Sequence, residues 1–273
     1  LIIDGSAGNL VTLNDVEIAI GDRYLKSHVV DIHYADINGG SFGAWYGGNY
    51  QLTDSVVDSW AGWQYIWYPS SDVLIARNTF KDVGKFSIGT DSSGVVTFEN
   101  NLFYDTVNTS SPVIENWNTY DDNLVLVTGN SFMNTNRVAV GLKDGYSDTK
   151  ITATGNWFNT TNIDEINVRV LDQNDSLSYA SVIDVSGYLS AADSSTPVVD
   201  GIPDLGTLST VSTNTVITQN TTWSGEVNIE NNIQIADGVT LTIEEGSVIT
   251  GGSIEVWGSL IIDGSAGNLV TLN

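Results

Sequence analysis

The chain has 273 residues and no cysteine, and its 33 acidic residues against nine basic ones give a formal net charge of −24 at pH 7. This charge excludes nucleic acid and anionic lipid surfaces as partners, because phosphate binding requires clustered cations. Membrane insertion is not expected either. No apolar run reaches membrane-spanning length, and disulfides and thiolate metal sites are excluded. Carboxylates are ligands for Ca²⁺, which is the one cofactor that the composition favours.

The chain begins with a segment that occurs again at its other end. Residues 1–14 and 260–273 share the sequence LIIDGSAGNLVTLN, identical at all 14 positions. Identity of this length at a fixed offset is typical of tandem-repeat proteins. We therefore expect the chain to be one period of a longer array of identical units.

Between these two copies, the sequence predicts β-strands almost throughout. Short alternating apolar runs are separated by Gly, Asn and Asp, a pattern typical of strands and turns. A looser repeat aligns an apolar residue in each of six successive segments: Ile37, Val56, Phe80, Phe103, Phe132 and Phe158. The spacing corresponds to coils of about 20–30 residues. A coil this short buries its apolar residues only by stacking on other coils, which predicts a parallel β-solenoid.

A turn residue precedes most of these apolar residues by two positions. Asn and Asp tolerate a left-handed backbone and bond to their own turns, and stacked coils let their side chains form a ladder. The predicted ladder residues are Asp54, Asn78, Asn101, Asn130 and Asn156.

Patterns that indicate catalysis are weak. His28 and His33 are the only histidines, and their odd separation places them on opposite faces of a strand, which disfavours a triad or a two-histidine metal site. Asp121 and Asp122 are adjacent, but a solvated turn explains them better than a glycosidase pair does. An acidic sugar would require a group of basic residues, and such residues lie close together only in the segment 77–85. We therefore expect a protein that is not an enzyme.

The densest aromatic region lies at residues 45–68. Exposed aromatic rings stack on sugars and pack against protein partners, so this region is a candidate contact surface for polysaccharide or for a neighbouring unit. The alternative is a long lateral loop that folds onto the solenoid wall with its rings half-buried. The candidate contact residues are Trp45, Tyr46, Tyr50, Trp60, Trp63, Trp67 and Tyr68.

Short acidic loops are candidates for calcium binding. Asp144 and Asp148 lie in one such loop, and Asp172 and Asp175 lie in another. Neither loop matches the full twelve-residue calcium pattern, and plain Asx turns explain both. These four aspartates are the candidate metal ligands.

Residues 187–214 are rich in Ser, Thr and Gly and predict a linker. The β pattern restarts after it with TTWSG, GVTLTIEEGSVI and GSIEVWGSLIIDGSAGNLVTL, all within 221–272. These motifs resemble the opening of right-handed parallel β-helix domains of the pectate-lyase-like type, found in large secreted and cell-surface microbial proteins. The segment NWFNT at 156–160 and the following IDEINVRVLDQNDS resemble the closing coil of the same family. The resemblance implies an all-β, right-handed parallel β-helix that is repeated in tandem.

The order of these motifs predicts the domain boundaries. Residues 1–197 are expected to form a β-helix that lacks its own N-terminal cap, 187–214 an exit segment, and 214–273 the cap and first coils of the next unit. Fold alone does not define function, because this solenoid serves many functions.

The repeated segment favours a structural module of a giant extracellular filament, stalk or cell-surface protein, with identical units as its partners. The first alternative is a carbohydrate-binding adhesin module that uses residues 45–68. The second alternative is a polysaccharide lyase or hydrolase.

Overall fold

The computed structural model describes residues 1–21, 29–45, 49–90, 94–104, 111–118, 125–133, 137–200, 202, 215–265 and 268–272. The chain divides into two compact units: unit 1 comprises Leu1–Leu171 and Tyr179–Ser209, and unit 2 comprises Asp172–Ser178 and Thr210–Asn273. The domain boundaries at 197 and 214 stay predictions.

Unit 1 is built from short strands. Its elements in chain order are β1 (Ile2–Asp4), β2 (Val11–Asn14), β3 (Glu17–Gly21), β4 (Val29–His33), β5 (Ala35–Asn38), β6 (Ser41–Trp45), β7 (Asn49–Thr53), β8 (Val56–Asp58), β9 (Trp63–Trp67), β10 (Val73–Ala76), β11 (Thr79–Lys81), β12 (Lys85–Gly89), β13 (Val96–Glu99), β14 (Leu102–Tyr104), β15 (Ile114–Asn118), β16 (Val125–Thr128), β17 (Ser131–Phe132), β18 (Val140–Leu142), α1 (Ile163–Asn167) and β19 (Val170–Leu171). Within the part of the chain that the structure describes, no helix has the length and apolar character needed to cross a membrane.

The strands of unit 1 form three parallel sheets, because each strand from β1 to β15 pairs with the strand three places further along the chain, and β18 pairs with β19. Sheet 1 has the order β1-β4-β7-β10-β13-β16, and sheet 2 has the order β17-β14-β11-β8-β5-β2. Sheet 3 has seven strands in the order β19-β18-β15-β12-β9-β6-β3. Successive turns of the chain therefore stack as a solenoid, which confirms the predicted all-β parallel fold.

Unit 2 repeats this architecture on a smaller scale. Its strands are β20 (Thr215–Ile217), β21 (Thr221–Trp223), β22 (Glu226–Ile229), β23 (Ile233–Ile235), β24 (Thr240–Ile243), β25 (Val248–Gly251), β26 (Ile254–Val256), β27 (Ser259–Ile262) and β28 (Thr271–Leu272). They form three parallel sheets of three strands each, β20-β23-β26, β21-β24-β27 and β22-β25-β28. A separate apolar cluster fills this unit, with Ile235, Leu241 and Ile243 fully buried.

Buried and outward-facing residues alternate along the strands, and the buried ones fill the interior of the solenoid. In sheet 1, Tyr50 pairs with Val30 on one side and with Val73 on the other, and all three are buried. The alternate residues Asp31 and Gln51 pair with each other and point outward. Each apolar residue of one turn therefore packs on its counterparts in the neighbouring turns, and burying a side chain of this size contributes about 1.5–3 kcal/mol.

An asparagine ladder, formed by the side chains of Asn78, Asn101, Asn130 and Asn156, lies inside the corner between sheets 1 and 2. All four residues are fully buried. The amide of each donates to Oδ1 of the next, over 3.0, 2.9 and 3.0 Å in order. The ladder provides hydrogen-bond partners for these buried polar groups. Each such group, if it were left without a partner, would destabilise the fold by about 1–3 kcal/mol.

Asp54, predicted as a ladder residue, is not a member. In the turn that precedes Asn78, the equivalent corner position is occupied by Ser55. Its backbone N–H donates to Oδ1 of Asn78 over 3.0 Å. Asp54 instead points outward and binds the guanidinium of Arg77 through two bonds of 2.7 Å. The reason is the register, since Val56 pairs with Thr79 and Val57 pairs with Phe80. Val57 is consequently the buried residue of this turn, and Val56, predicted to point inward, is 36% exposed.

The left-handed backbone predicted for the ladder residues occurs one position earlier in each turn. Six residues immediately before the corner positions have φ between 52° and 69°: Tyr34, Asp54, Arg77, Asn100, Gly129 and Gly155. The left-handed residue makes the chain change direction between the two sheets. The asparagine that follows it can then turn its side chain into the core.

A phenylalanine stack runs beside the ladder. Phe80, Phe103, Phe132 and Phe158 are all buried, and the successive ring centroids are 4.9, 5.1 and 5.6 Å apart with nearly parallel planes. Equivalent positions in successive turns of a solenoid face the same interior column. The recurring Phe of the sequence repeat is thus the apolar column of sheet 2.

Candidate functional site

The outer face of sheet 3 carries an aromatic groove of about 500 Å³. Its walls are contributed by β6, β9, β12 and β15 and by the segment that follows β18. The lining residues are Trp45, Trp63, Trp67, Tyr68, Lys85, Ser87, Glu115, Trp117, Lys143 and Tyr146. This groove is the candidate functional site.

Strand alternation places the aromatic rings of β9 on this face. In the sequence WQYIW, Gln64 and Ile66 are fully buried, whereas Trp63, Tyr65 and Trp67 point outward. The parallel register then aligns rings from different turns along the stacking direction, since Trp67 pairs with Trp45 of β6. A pattern of alternating aromatic residues on one strand thereby becomes a surface that extends over several turns.

Two glycines make room for rings to lie against the sheet. A Cβ atom on Gly43 would lie 2.4 Å from Cζ of Tyr65, and one on Gly89 would lie 2.8 Å from Cε2 of Trp117. Distances this short do not occur between real side chains, so each ring covers its glycine directly. The small residues therefore allow Tyr65 and Trp117 to lie close to the backbone of the preceding turn.

The rings contact one another as a continuous network. Trp67 lies at its centre, with centroids 6.0 Å from Trp45, 5.1 Å from Trp63 and 5.7 Å from Trp117. Trp117 in turn lies 5.7 Å from Tyr146, at the far end of the groove. Most of these contacts are edge-to-face, the arrangement that aromatic quadrupoles favour, and they hold the rings in defined orientations.

An ion pair forms the polar part of the groove. Nζ of Lys85 lies 2.6 Å from Oε2 of Glu115, and Glu115 is only 6% exposed. Lys143 also lines the groove and is exposed. In the described ranges, the ion pairs do not include Lys143. The groove thus presents aromatic rings and ammonium donors to solvent, and the almost fully buried carboxylate of Glu115 lies in its wall.

The structure assembles only part of the predicted contact surface. Trp45, Trp63, Trp67 and Tyr68 line the groove, and Tyr46 lies outside the described residues. Tyr50 and Trp60 were predicted wrongly, because both are buried in the core, where Trp60 stacks on Phe42 at 6.1 Å. Residues 49–67 do not form a long lateral loop either, since they run through β7, β8 and β9 with only short connections between these strands.

Sequence reasoning missed six of the ten lining residues: Lys85, Ser87, Glu115, Trp117, Lys143 and Tyr146. They lie 17 to 78 residues after Tyr68, the end of the aromatic region, and reach it only through the stacking of turns. The alternation W-x-Y-x-W was a signal that a face of one strand is aromatic. No local pattern indicated which later residues would align with it.

Other candidate catalytic groups do not form an accessible site in the described part of the chain. His33 lies between Asp31 and Thr53, with Nε2 2.5 Å from Oδ1 of Asp31 and Nδ1 2.5 Å from Oγ1 of Thr53. This carboxylate–imidazole–hydroxyl arrangement resembles a nucleophilic triad, but Thr53 is only 2% exposed. A substrate carbonyl cannot reach a buried hydroxyl, so we interpret the trio as structural. His28, Asp121 and Asp122 lie outside the described residues.

The aspartates predicted as calcium ligands form turns. Asp144 and Asp148 are exposed, and Oδ2 of Asp148 accepts from the hydroxyl of Ser147 over 2.9 Å. Asp172 accepts from the backbone N–H of Asn174 over 2.8 Å, and its own N–H donates to Oδ2 of Asp175 over 2.9 Å.

Within the described ranges, no group of three or more His, Cys, Asp and Glu side chains is close enough to share a metal ion. Calcium binding stays a prediction.

Comparisons with protein-family models, with curated proteins and with solved structures found no match to this chain. The resemblance to pectate-lyase-like domains therefore stays at the level of the observed parallel β-solenoid.

Proposed function

We propose that the chain is a structural repeat module of a large extracellular or cell-surface protein, in which unit 2 of one repeat and unit 1 of the next form one continuous solenoid. The observation that carries this proposal is the shared segment, LIIDGSAGNLVTLN, at residues 1–14 and 260–273. One copy contributes the first strands of unit 1, and the other contributes the last strands of unit 2.

The two copies adopt the same local conformation. In the first copy, the backbones of Ser6 and Asn9 bond to each other in both directions, over 3.2 and 2.8 Å. In the second copy, Ser265 and Asn268 do the same, over 3.2 and 3.0 Å. The segment therefore folds alike whether its neighbouring turn lies before it or after it.

The strand register of the two copies supports a continuous core. Ile262 pairs with Ile243, which is fully buried, in unit 2. Its equivalent in the first copy, Ile3, pairs with Ile32, which is fully buried in unit 1. A single copy of the segment between both neighbours would thus place this isoleucine in one unbroken apolar column.

The second strand of the segment behaves in the same way. Leu272 pairs with Ile249 in unit 2, and its equivalent Leu13 pairs with Ile37 in unit 1. Leu272 is 58% exposed, although both of its counterpart positions, Ile249 and Ile37, are buried. Exposed apolar strand edges of this kind favour pairing with a further strand, and the proposed junction supplies that strand.

A two-repeat chain, with residues 1–273 followed directly by 15–273, tests the proposal through Ile262→Asp. In the present chain Ile262 is 46% exposed, so the substitution is expected to change stability by less than about 0.5 kcal/mol. At the junction of the two-repeat chain, the same residue would lie between Ile243 and Ile32. A carboxylate there is expected to cost about 3 kcal/mol or more in urea unfolding.

Ile261→Asp is the matched control, because the side chain of this neighbouring residue points outward in register with Thr242 and is 49% exposed. We expect this change to have little effect in both chains. Equal effects of the two substitutions in the two-repeat chain would contradict a continuous junction.

The native polypeptide offers an independent test. A tandem array predicts a mass far above 29.3 kDa and removal of the protein from intact cells by added protease. A native polypeptide close to that mass, or one protected from protease in intact cells, would contradict the proposed module or its location.

A second function, polysaccharide binding, is favoured by the aromatic groove. Half-exposed tryptophans beside hydrogen-bonding charged groups match the chemistry of a sugar, which has apolar C–H faces and polar edges. Binding to immobilised polysaccharides that is lost in Trp63→Ala is the expected result, and equal binding by the wild type and the variant would contradict it.

A further inference from the structure

The aromatic groove is long and follows the stacking direction of the turns. Its lining residues come from five consecutive positions of sheet 3, from Trp45 on β6 to Tyr146 after β18. At about 4.8 Å between strands, this corresponds to roughly 19 Å. A groove of this length accommodates several sugar rings in a row and not a single monosaccharide.

Three of its rings are substantially exposed to solvent. Trp45, Trp63 and Tyr146 are 46%, 53% and 42% exposed, and they lie toward the two ends of the groove. Trp67 and Trp117 lie between and behind them and fix their positions. Exposed rings at both ends of the groove favour a chain whose sugars present flat C–H faces at intervals.

The polar groups of the groove suit hydroxyl groups. Glu115 is almost fully buried and is fixed by Lys85, so the pair presents a preorganised donor and acceptor. Hydrogen bonds of this charge-assisted kind are stronger than neutral ones. Sugar hydroxyls, which both donate and accept, satisfy both members of the pair.

Charge decides between neutral and acidic sugars. Lys85 is compensated by Glu115, which leaves Lys143 as the uncompensated cation of the groove within the described ion pairs. The whole chain carries a net charge of −24. A polyanion longer than the groove would extend over this acidic surface and be repelled within a Debye length of about 8–10 Å.

We propose that the aromatic groove binds a neutral, extended polysaccharide of linked pyranose rings, as a deeper statement of the second function above, on which it rests. The ring faces pack on the three exposed aromatic side chains, and the hydroxyl groups bond to the Lys85–Glu115 pair. The stacking direction of the solenoid sets the direction of the bound chain.

Isothermal titration of the full chain with cellohexaose and chitohexaose, and with hexagalacturonate as the acidic probe, tests this inference. We expect at least one neutral hexamer to bind, with an affinity that changes little between 50 and 500 mM NaCl, and hexagalacturonate not to bind. Trp63→Ala and Tyr146→Ala are each expected to weaken binding at least about tenfold, which is about 1.4 kcal/mol. Both side chains are substantially exposed, so both variants are expected to fold.

Trp257→Ala is the matched control, because this tryptophan is 50% exposed and lies in unit 2. It is expected to leave binding unchanged. Binding of hexagalacturonate alone would overturn the neutral ligand class but leave polysaccharide binding intact. If none of the three probes binds, both the neutral ligand class and polysaccharide binding by the groove are overturned. Binding that Trp63→Ala leaves unchanged would overturn both claims as well. The structural-module proposal depends on neither result.

Discussion

The side-chain amide of Asn101 donates to Oδ1 of Asn130 over 2.9 Å, and the same oxygen accepts the backbone N–H of Asn101 over 3.0 Å. A second bond from the amide of Asn101 reaches the carbonyl of Ile75 over 2.8 Å. The side chains of Asn78 and Asn130 likewise bond to the turns on both sides of their own. The ladder links successive turns at a corner where no strand pairing is available.

Asn130→Ala is expected to destabilise unit 1 by about 2–4 kcal/mol. The change removes the acceptor for two N–H groups of Asn101 and the donor to the carbonyl of Phe98, and buried groups without partners cost about 1–3 kcal/mol each. Urea unfolding measures the loss. The exposed Asn9, changed to Ala, is the control and should stay within about 0.5 kcal/mol of the wild type. A loss below about 1 kcal/mol at Asn130 would contradict the structural importance of the ladder.

Val57→Ala is expected to lower the free energy of unfolding by about 1–2.5 kcal/mol, because Val57 is fully buried beside Phe80. Val56→Ala provides a control of the same chemistry one position away. Since Val56 is 36% exposed, its change is expected to cost less than about 0.5 kcal/mol. A larger loss of stability for Val56→Ala than for Val57→Ala, in thermal or urea unfolding, would show that the register places Val56 inside.

Gly89→Ala is expected to displace the ring of Trp117 from the floor of the aromatic groove. The added Cβ would lie 2.8 Å from Cε2 of Trp117, so the ring must move, and its contacts with Trp67 and Tyr146 are lost. The expected readouts are a red shift of tryptophan fluorescence and weaker binding of the neutral hexamers. The control is Gly62→Ala, where nothing lies within 4 Å of the added Cβ. Unchanged fluorescence in Gly89→Ala would contradict this packing.

Asp175→Asn is expected to stabilise the chain at neutral pH but not in acid. Burial raises the pKa of Asp175 from 3.8 to about 6, so between these values the folded state retains a proton that the unfolded state has lost. Stability from this group therefore falls as pH rises through the window and stays lower above about pH 6. Asn keeps an oxygen for the N–H of Asp172 without the charge.

The measurement for Asp175→Asn is urea unfolding at pH 4 and at pH 7. We expect the variant to exceed the wild type by about 1–2 kcal/mol at pH 7 and to match it at pH 4. The exposed Asp144, changed to Asn, is the control. A difference between Asp175→Asn and the wild type that is the same at both pH values would contradict a raised pKa.

Several features were predictable from local sequence because they depend on backbone chemistry repeated in every turn. The recurrence of Phe80, Phe103, Phe132 and Phe158 predicted an inward column, and the structure places all four in one stack. The assignment failed at Val56 because two adjacent valines fit the same alignment. Only the pairing of Val57 with Phe80 decides which of them points inward.

The aromatic region shows the same limit. Alternation alone indicates two faces for a strand, but it does not indicate which face is the core. Tyr50 and Trp60 are as aromatic as Trp63, yet they are buried, because their strand and corner positions direct them inward. One ring partner of Trp67 in the groove, Trp117, lies 50 residues further along the chain and reaches it only through the stacking of turns.

By itself, the sequence determined a parallel β-solenoid and a segment shared between two ends, since strand periodicity and exact repetition are properties of residue order. Only the tertiary structure decided that Lys85, Glu115, Trp117 and Tyr146 join Trp63 in one groove. It also decided that Ser55, and not Asp54, continues the corner above Asn78. The physical reason is register: turns of unequal length bring distant residues into alignment through strand pairing and core packing, which no local pattern encodes.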